Sequence, residues 1–404
     1  MLEKIKDTPW RWLVISLILY FIGLLALYSI AVNSEKQLLF SRFAKQIVWL
    51  IPCLFSFSLF LLISKRLVYK YAYLAAVLCT LLLFIPFFMK PVAGTYRWIS
   101  FGVMSFQPSE ILKWLLVLTM ARFLSDHNLE VKNFKTMILP IFIVLLPAGI
   151  VSQQPDLGTA IILIAPLIPL LYWVGFRLLH ITLLVAPVFS VITAFNYYTF
   201  TVWIIFIALY LHFSKTSFKV GFSNVFGNIF IGLLTPFLWN KLAPYQQNRI
   251  LVLIDSTKDP FGVGYQIIQS QTAIGSGGFW GKGFGEGSQT HLKFLPEQET
   301  DFILSVIGEE FGFVGVCFVL ALFSMLILNI VKISFQSNER FSSLVLIGIA
   351  SILIAQVFVN VAMTINLLPV KGLPLPFMSY GGSFLISCFA MLGLAMNMKV
   401  ELRE

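Results

Sequence analysis

Runs of about twenty apolar residues recur along this chain from one end to the other, and each is long enough to cross roughly 30 Å of hydrocarbon as a helix. Inside a bilayer every backbone N–H and C=O must find its partner within the protein, which leaves only helices and closed barrels. A barrel would alternate apolar and polar residues over about ten residues per strand, and the sequence shows no such alternation. The runs therefore predict an all-α, polytopic transmembrane helical bundle of about 12 spans, near 12–32, 46–64, 69–89, 109–124, 137–151, 158–174, 179–195, 201–213, 221–239, 303–333, 341–366 and 378–398. Composition agrees, with 58% of the 404 residues hydrophobic and 11% charged, against about 25% charged in a soluble domain. The first run follows the basic stretch MLEKIKDTPWR, but it is too long for a secretory leader and no small-residue cleavage site follows. It reads as a retained first helix.

The chain reads as one polytopic domain over residues 1–404. With the N-terminus in the cytoplasm, the inner connections carry 16 Lys and Arg and the outer ones 11, of which 5 lie in one long loop, 240–302. Loops of that length largely escape the positive-inside rule, so the remaining asymmetry places both termini in the cytoplasm. Three polar connections then share the outer face: 90–108, the extracytoplasmic loop 240–302, and 367–380, joined by the short SQQPDLGT turn at 152–159. Any chemistry faces outward. The net charge of +10 is scattered between apolar runs, which fits orientation among membrane lipids and argues against a nucleic-acid partner. Cys53, Cys79, Cys317 and Cys388 lie inside apolar runs with no CxxC or Cys/His spacing, so they read as small core residues and define no metal site. No symmetric pair of broken helices points to a secondary transporter.

Charge is rare enough here that each polar cluster carries information. In QPSEILKW, Pro108 suits the first turn of a helix. Glu110 and Lys113 are three apart, so they share a face and can pair about one turn below the surface. A snorkelling lysine with its counter-ion is the plain reading, and a functional cavity the other. Asp156, in QQPDLGTA, can cap a helix or meet a ligand. The stretch IGSGGFWGKGFGEGSQ holds seven glycines between Gly275 and Gly287. It fits no GxxxxGK[ST] or GxGxxG register, so it reads as a close-packed or mobile loop whose amides, with Lys282, could approach an anion. Five of the eighteen acids, Glu297, Glu299, Asp301, Glu309 and Glu310, fall within fourteen residues at the mouth of the tenth span. Asp301 heads a face made small and open by Ser305 and Gly308. A carboxyl near oil and another acid has its pKa raised, as a general base requires. Glu309 and Glu310 lie deeper and call for basic partners on neighbouring helices.

Five segments in order carry a resemblance over nearly the whole chain: YRWISFG with FQPSEILK; QQPDLGTA; YQQNRILVLIDSTKDPFGVGYQIIQSQTAIGSGGFWGKGFGEG; FLPEQETDFILSVIGEEFGFVG; and LPVKGLPLPFMSYGGS. Together they resemble the SEDS family (shape, elongation, division and sporulation proteins), the polytopic peptidoglycan glycosyltransferases of bacteria. The wording GYQIIQSQTAIGSGG is similar to the elongation branch. The resemblance implies that the substrate is lipid II, a disaccharide-pentapeptide on undecaprenyl pyrophosphate, polymerised at the outer face of the cytoplasmic membrane. It also implies a class B penicillin-binding transpeptidase as partner within the elongation machinery.

By the same resemblance the acid of the TDF motif, Asp301, is essential. Arg97, Trp98, Glu110 and Lys113 match positions tied to activity, Lys371 matches the lysine of the KGLPLP loop, and Gln107 and Ser109 join the substrate-binding set with Asp156 and Lys282. The mechanism implied is a single inverting displacement with Asp301 as base and Arg97, Lys113, Lys282 and Lys371 as candidate cations for the pyrophosphate. A divalent cation (Mg or Mn) could share that task with Asp156 or Glu110 as ligand. The sequence departs from the family twice. Glu299 stands where HTDF would have histidine, and 179–239 reads as three crossings where one is usual, a two-span addition to a core of ten. A lipid II flippase and a non-catalytic scaffold for a transpeptidase are the competing readings.

Overall fold

The computed structural model describes residues 8–32, 38–91, 94–101, 104–126, 134–242, 244–254, 262–291 and 294–400. The first three helices are α1 (Trp10–Val32), α2 (Arg42–Leu62) and α3 (Lys65–Leu82). A short antiparallel hairpin, β1 (Ile99–Phe101) and β2 (Met104–Phe106), pairs Ile99 with Phe106 and leads into α4 (Pro108–Asp126). Then follow α5 (Ile138–Gln153), α6 (Leu157–Ile164), α7 (Leu167–Val174), α8 (Leu178–Thr193), α9 (Tyr197–Phe213) and α10 (Phe218–Lys241). The long loop carries α11 (Pro244–Ile254), α12 (Val263–Gly277) and the single turn α13 (Ser288–His291). The chain closes with α14 (Ile303–Gln336), α15 (Arg340–Thr364) and α16 (Gly382–Val400).

Each of the twelve predicted spans falls on helix, and eight of the described segments are long and apolar enough to cross a membrane. The span expected at 158–174 is broken at Pro166 into α6 and α7, because proline removes a ladder donor and clashes with the preceding turn. Helix α4 is missing from the eight because Glu110, Lys113, Arg122 and Asp126 interrupt it. It is nonetheless buried along nearly its whole length, as are α15 and α16. A helix apolar all round belongs in the middle of a bundle. These three form its axis, and the others present apolar surface outward. Gly393 of α16 meets the Phe57 backbone of α2 with no room for a Cβ. Asn397 donates to the carbonyls of Phe60 and Ile63 at 2.9 and 2.6 Å. Cys53, Cys79 and Cys388 are buried as expected, whereas Cys317 lies exposed on the outer side of α14.

Region 178–241 forms three helices with an apolar cluster of its own, Leu183, Ala186, Ile207 and Leu211. A polar tie crosses it: Trp203 Nε1 donates to Ser190 Oγ (2.9 Å), which donates to Asn228 Oδ1 (2.7 Å). Of the three, only α10 has the length and apolarity of a full span. At 1.5 Å per residue α8 and α9 reach about 24–26 Å.

Of the two readings of the glycine-rich stretch, the structure shows the close-packed one. Helix α12 lies along the start of α14, with Ser270 and Ser305 hydroxyls 2.7 Å apart and Gly277 pressed on the Gly308 carbonyl. The face expected to be open beside Asp301 is therefore filled, because small residues let two backbones approach closely. The glycine-rich stretch is spliced into a break in α14. Gly312 takes φ +66°, a conformation glycine adopts at little cost. The ladder bonds lost there are replaced from the loop: Lys282 and Gly283 N–H donate to the carbonyls of Glu309 and Glu310, both at 3.0 Å, while Phe313 and Val314 N–H donate to Gly278 and Phe279. The Lys282 and Gly283 amides are thus occupied by carbonyls rather than directed at an anion.

Candidate active site at the helix ends

A tight turn presents Asp301. Glu297 sits at φ +51°, which costs a non-glycine residue energy and persists only where surroundings impose it. Its carbonyl accepts the N–H groups of Thr300, Asp301 and Phe302 at 3.2, 3.1 and 3.4 Å. Two neighbouring segments fix the turn from outside. Asn360 of α15 donates to the Asp301 carbonyl (2.9 Å) and to the Leu373 carbonyl (2.8 Å). Ser379 Oγ donates to Thr300 O (2.5 Å), and Tyr380 N–H to Glu299 O (2.9 Å).

The Asp301 side chain keeps a partly exposed face, and a Cβ on Gly372 would stand 3.3 Å from its Oδ2. Loss of hydration pushes its pKa from 3.8 to about 7, and the Glu297 carboxylate adds to the rise. Arg97, the Thr300 hydroxyl and Arg42 pull against it in that order. The carboxyl therefore titrates near neutrality.

Arg97 links Asp301 to a second acid. Its Nη1 lies 3.6 Å from Asp156 Oδ1, and its Nη2 donates to Pro155 O at 3.3 Å. The hairpin places Arg97 at one end and Gln107 at the other, which is why residues ten apart share a site. Asp156 caps α6, accepting from Thr159 N (3.1 Å) and Thr159 Oγ1 (2.8 Å). It also accepts from Gln107 Nε2 at 2.9 Å, and that amide donates to Ser109 Oγ at 3.0 Å. The cap and the site role are therefore one arrangement. Behind Gly158, with no room for a side chain, passes the Lys371 backbone, so the KGLPLP loop touches both the α6 start and Asp301. Glu110 and Lys113 pair as their spacing predicts, Nζ to Oε2 at 2.6 Å, both buried, with Lys113 also 5.2 Å from the Phe384 ring. Asp156 lies near enough to act on Glu110 electrostatically. Trp98 is half-buried where the chain enters β1.

Lys282 belongs to a different cluster. Its Nζ lies 2.8 Å from Glu309 Oε1 and from Ser288 Oγ, about 9 Å down α14 from its first residue at 1.5 Å per residue. Glu309 is fully buried and also accepts from Gln289 N, Thr290 N and Thr290 Oγ1. Its cationic partner thus comes from the glycine-rich loop and not from a neighbouring helix. Glu310 is met by the Ser29 hydroxyl of α1.

Sequence reasoning passed over Arg42, Asn360 and Tyr380. The signal for Asn360 was available, since a carboxamide in the middle of an apolar run must find partners. Nothing in its local sequence sets Arg42 apart from the basic flank of a span. It pairs with Glu299 Oε2 at 3.0 Å and Glu297 Oε2 at 3.4 Å, so the acid standing in the histidine's place has a cation beside it.

Among the described residues no three of His, Cys, Asp and Glu converge as a metal site. Asp156 and Glu110 each already accept from the protein's own donors and cations, a donor set that does not fit a resident divalent ion.

The N-termini of α2, α4, α6, α14 and α16 all reach this region. Helix N-termini favour negative charge. Fold and site together define a polytopic membrane protein with an acid-and-cation site at one end of its helices. The family model FTSW_RODA_SPOVE, described as cell cycle protein, matches residues 10–210 and 186–404, and the chain belongs to that family, the SEDS proteins. It is 34% identical over 328 residues to the peptidoglycan glycosyltransferase MrdB of Escherichia coli (strain K12), covering 80% of this chain and 76% of that protein. It is 30% identical over 430 residues to the peptidoglycan glycosyltransferase RodA of Treponema pallidum (strain Nichols), covering 99% of each. Its fold superposes on a chain from a structure described as structural coordination of polymerization and crosslinking by a peptidoglycan synthase complex, with TM-score 0.75, 26% identity, and 98% of this chain and 99% of that chain covered. It also superposes on the rod shape determining protein RodA of Thermus thermophilus, with TM-score 0.65, 23% identity and 98% of each chain covered, a likeness of fold.

Proposed function

We infer that this chain is a peptidoglycan glycosyltransferase that polymerises lipid II during cell elongation, with Asp301 as general base. The observation that carries this reading is a largely buried aspartate titrating near 7 at a point where Arg97, the Lys371 loop and several helix N-termini meet. Asp301 takes the proton from the 4-hydroxyl of the acceptor sugar. The freed oxygen attacks the anomeric carbon of the donor, and the bond to undecaprenyl pyrophosphate breaks with inversion from α to β. The leaving pyrophosphate carries away the negative charge. Arg97 and Arg42 are the cations that act on the base, and Lys371 belongs to the loop beside it, whereas Lys113 and Lys282 are bound to buried carboxylates and act less directly. Fixed charges and dipoles aimed at a developing anion are worth most where water is scarce. A divalent cation sharing this task would arrive with the pyrophosphate, because Asp156 and Glu110 are engaged elsewhere.

The same reading puts the site on the outer face of the bacterial cytoplasmic membrane, both termini in the cytoplasm, and a class B penicillin-binding transpeptidase beside the chain. The relatives' names and the peptidoglycan synthase complex support it. Purified protein incubated with labelled lipid II, alone and with its partner, tests it. Polymer from wild type and none from Asp301→Ala is the expected result. Full turnover by Asp301→Asn would remove Asp301 as base, and lipid II crossing liposomes without polymer would favour the flippase.

A further inference from the structure

Arg42 opens α2, 255 residues before Glu297 in sequence. Its guanidinium bridges the two acids that flank the Asp301 turn, Glu299 at 3.0 Å and Glu297 at 3.4 Å, and its Cζ lies 5.6 Å from the centre of the Tyr380 ring. Each of these partners is joined to the turn. Glu297 O caps it, Thr300 Oγ1 donates to Glu297 Oε2 at 3.2 Å, and Tyr380 N–H bonds Glu299 O. The bridge therefore sits on the turn that positions Asp301. Arg42 is also solvent-accessible, with 38% of its side-chain surface exposed, so it is not held there by burial.

We propose that Arg42 is a positioning residue for the transfer reaction: by pairing Glu297 and Glu299 it leaves Asp301 facing a neutralised neighbourhood, in which the carboxylate can exist as a base. The proposal rests on Asp301 being that base. The charged and titratable groups around Asp301 are Glu297 and Glu299 on its own segment, Arg42 from α2, Arg97 from the hairpin with Asp156 behind it, and Lys371 and Tyr380 from the 365–381 segment. Burial and Glu297 favour the protonated acid, while Arg97 and Arg42 favour the anion. Removing Arg42 deletes one cation and releases two carboxylates, and both changes act in the same direction.

The test is the pH profile of lipid II polymerisation by the full-length protein, measured as kcat/KM from pH 5.5 to 9.5. Wild type should rise through a limb near pH 7. Arg42→Ala should move that limb upward by about one pH unit, a charge effect of ordinary size at this range. The loss is then about fivefold at pH 7, and it disappears toward pH 9.5 as Asp301 ionises. Arg42→Lys should keep the wild-type limb. Adding Glu297→Gln and Glu299→Gln to Arg42→Ala should bring the limb back to or below its original position. A merely structural role would lower activity equally at every pH and would not be rescued by removing the acids, and that outcome overturns the proposal. An unmoved limb in Arg42→Ala overturns it as well. Failure of the base assignment is recognised separately, because Asp301→Asn would then retain both turnover and limb.

Discussion

Gly158 is the second residue of α6, and the site tolerates nothing larger there. A Cβ at this position would lie 2.7 Å from the Lys371 carbonyl oxygen, 3.0 Å from Leu373 Cγ and 3.2 Å from Lys371 Cβ. All three contacts are on one segment, and the shortest is about 0.7 Å inside ordinary packing distance. The segment cannot simply retreat. Asn360 holds the Leu373 carbonyl, and Gly372 rests 3.3 Å from Asp301 Oδ2 measured to the same kind of added carbon. Gly158→Ala should therefore cost about 1–3 kcal/mol through overpacking. It should also carry the strain to the base. A misplacement of about 1 Å can cost about 100-fold in rate, so a shift of this size should lower kcat roughly ten- to thirtyfold. Gly149 of α5 supplies the control, since an added Cβ there meets nothing within 4 Å. Gly149→Ala should leave turnover intact and stabilise by up to about 1 kcal/mol through helix propensity. Turnover of labelled lipid II and thermal melting in the same detergent read both effects. If the two variants are indistinguishable, the Lys371 segment is not pinned between α6 and Asp301, and the geometry argued for the site is wrong.

Glu110→Gln leaves the Lys113 charge buried without a counter-ion. It should destabilise by about 3–5 kcal/mol, while Glu110→Gln with Lys113→Met regains most of the melting midpoint. Glu309→Gln sets an amide group against donors that now find a carboxylate. A lost bond to a charged group, about 1.5–3 kcal/mol, should make the 278–291 loop roughly tenfold or more easier to cleave by limited proteolysis. Asp301→Asn should melt higher than wild type at pH 9 and alike at pH 4. The raised native pKa means that wild type loses stability as pH climbs from about 4 past 7. The difference is bounded at about 4 kcal/mol by 1.36 kcal/mol per unit.

The helices were legible because hydrocarbon leaves the backbone so few options, and the acids of the site were legible because charge next to oil needs a reason. What lay beyond the sequence was the set of partners. The interaction of Glu110 with Lys113 could be read because a helix fixes what stands three residues away. The one between Glu297 and Arg42 could not, since its 255-residue separation is set by how α2 packs on α16. The glycine-rich loop stayed open between a close-packed and a mobile reading for a related reason. Its composition speaks for freedom, yet the break at Gly312 in another element takes up its amides. Local sequence therefore announced which groups must be compensated, and tertiary packing decided by what. Acids recognised in sequence as candidates divide accordingly. Those answered by a full set of donors, as Glu309 is, hold the structure together. Asp301, whose neighbours oppose one another and leave it titrating near neutrality, is placed to exchange a proton.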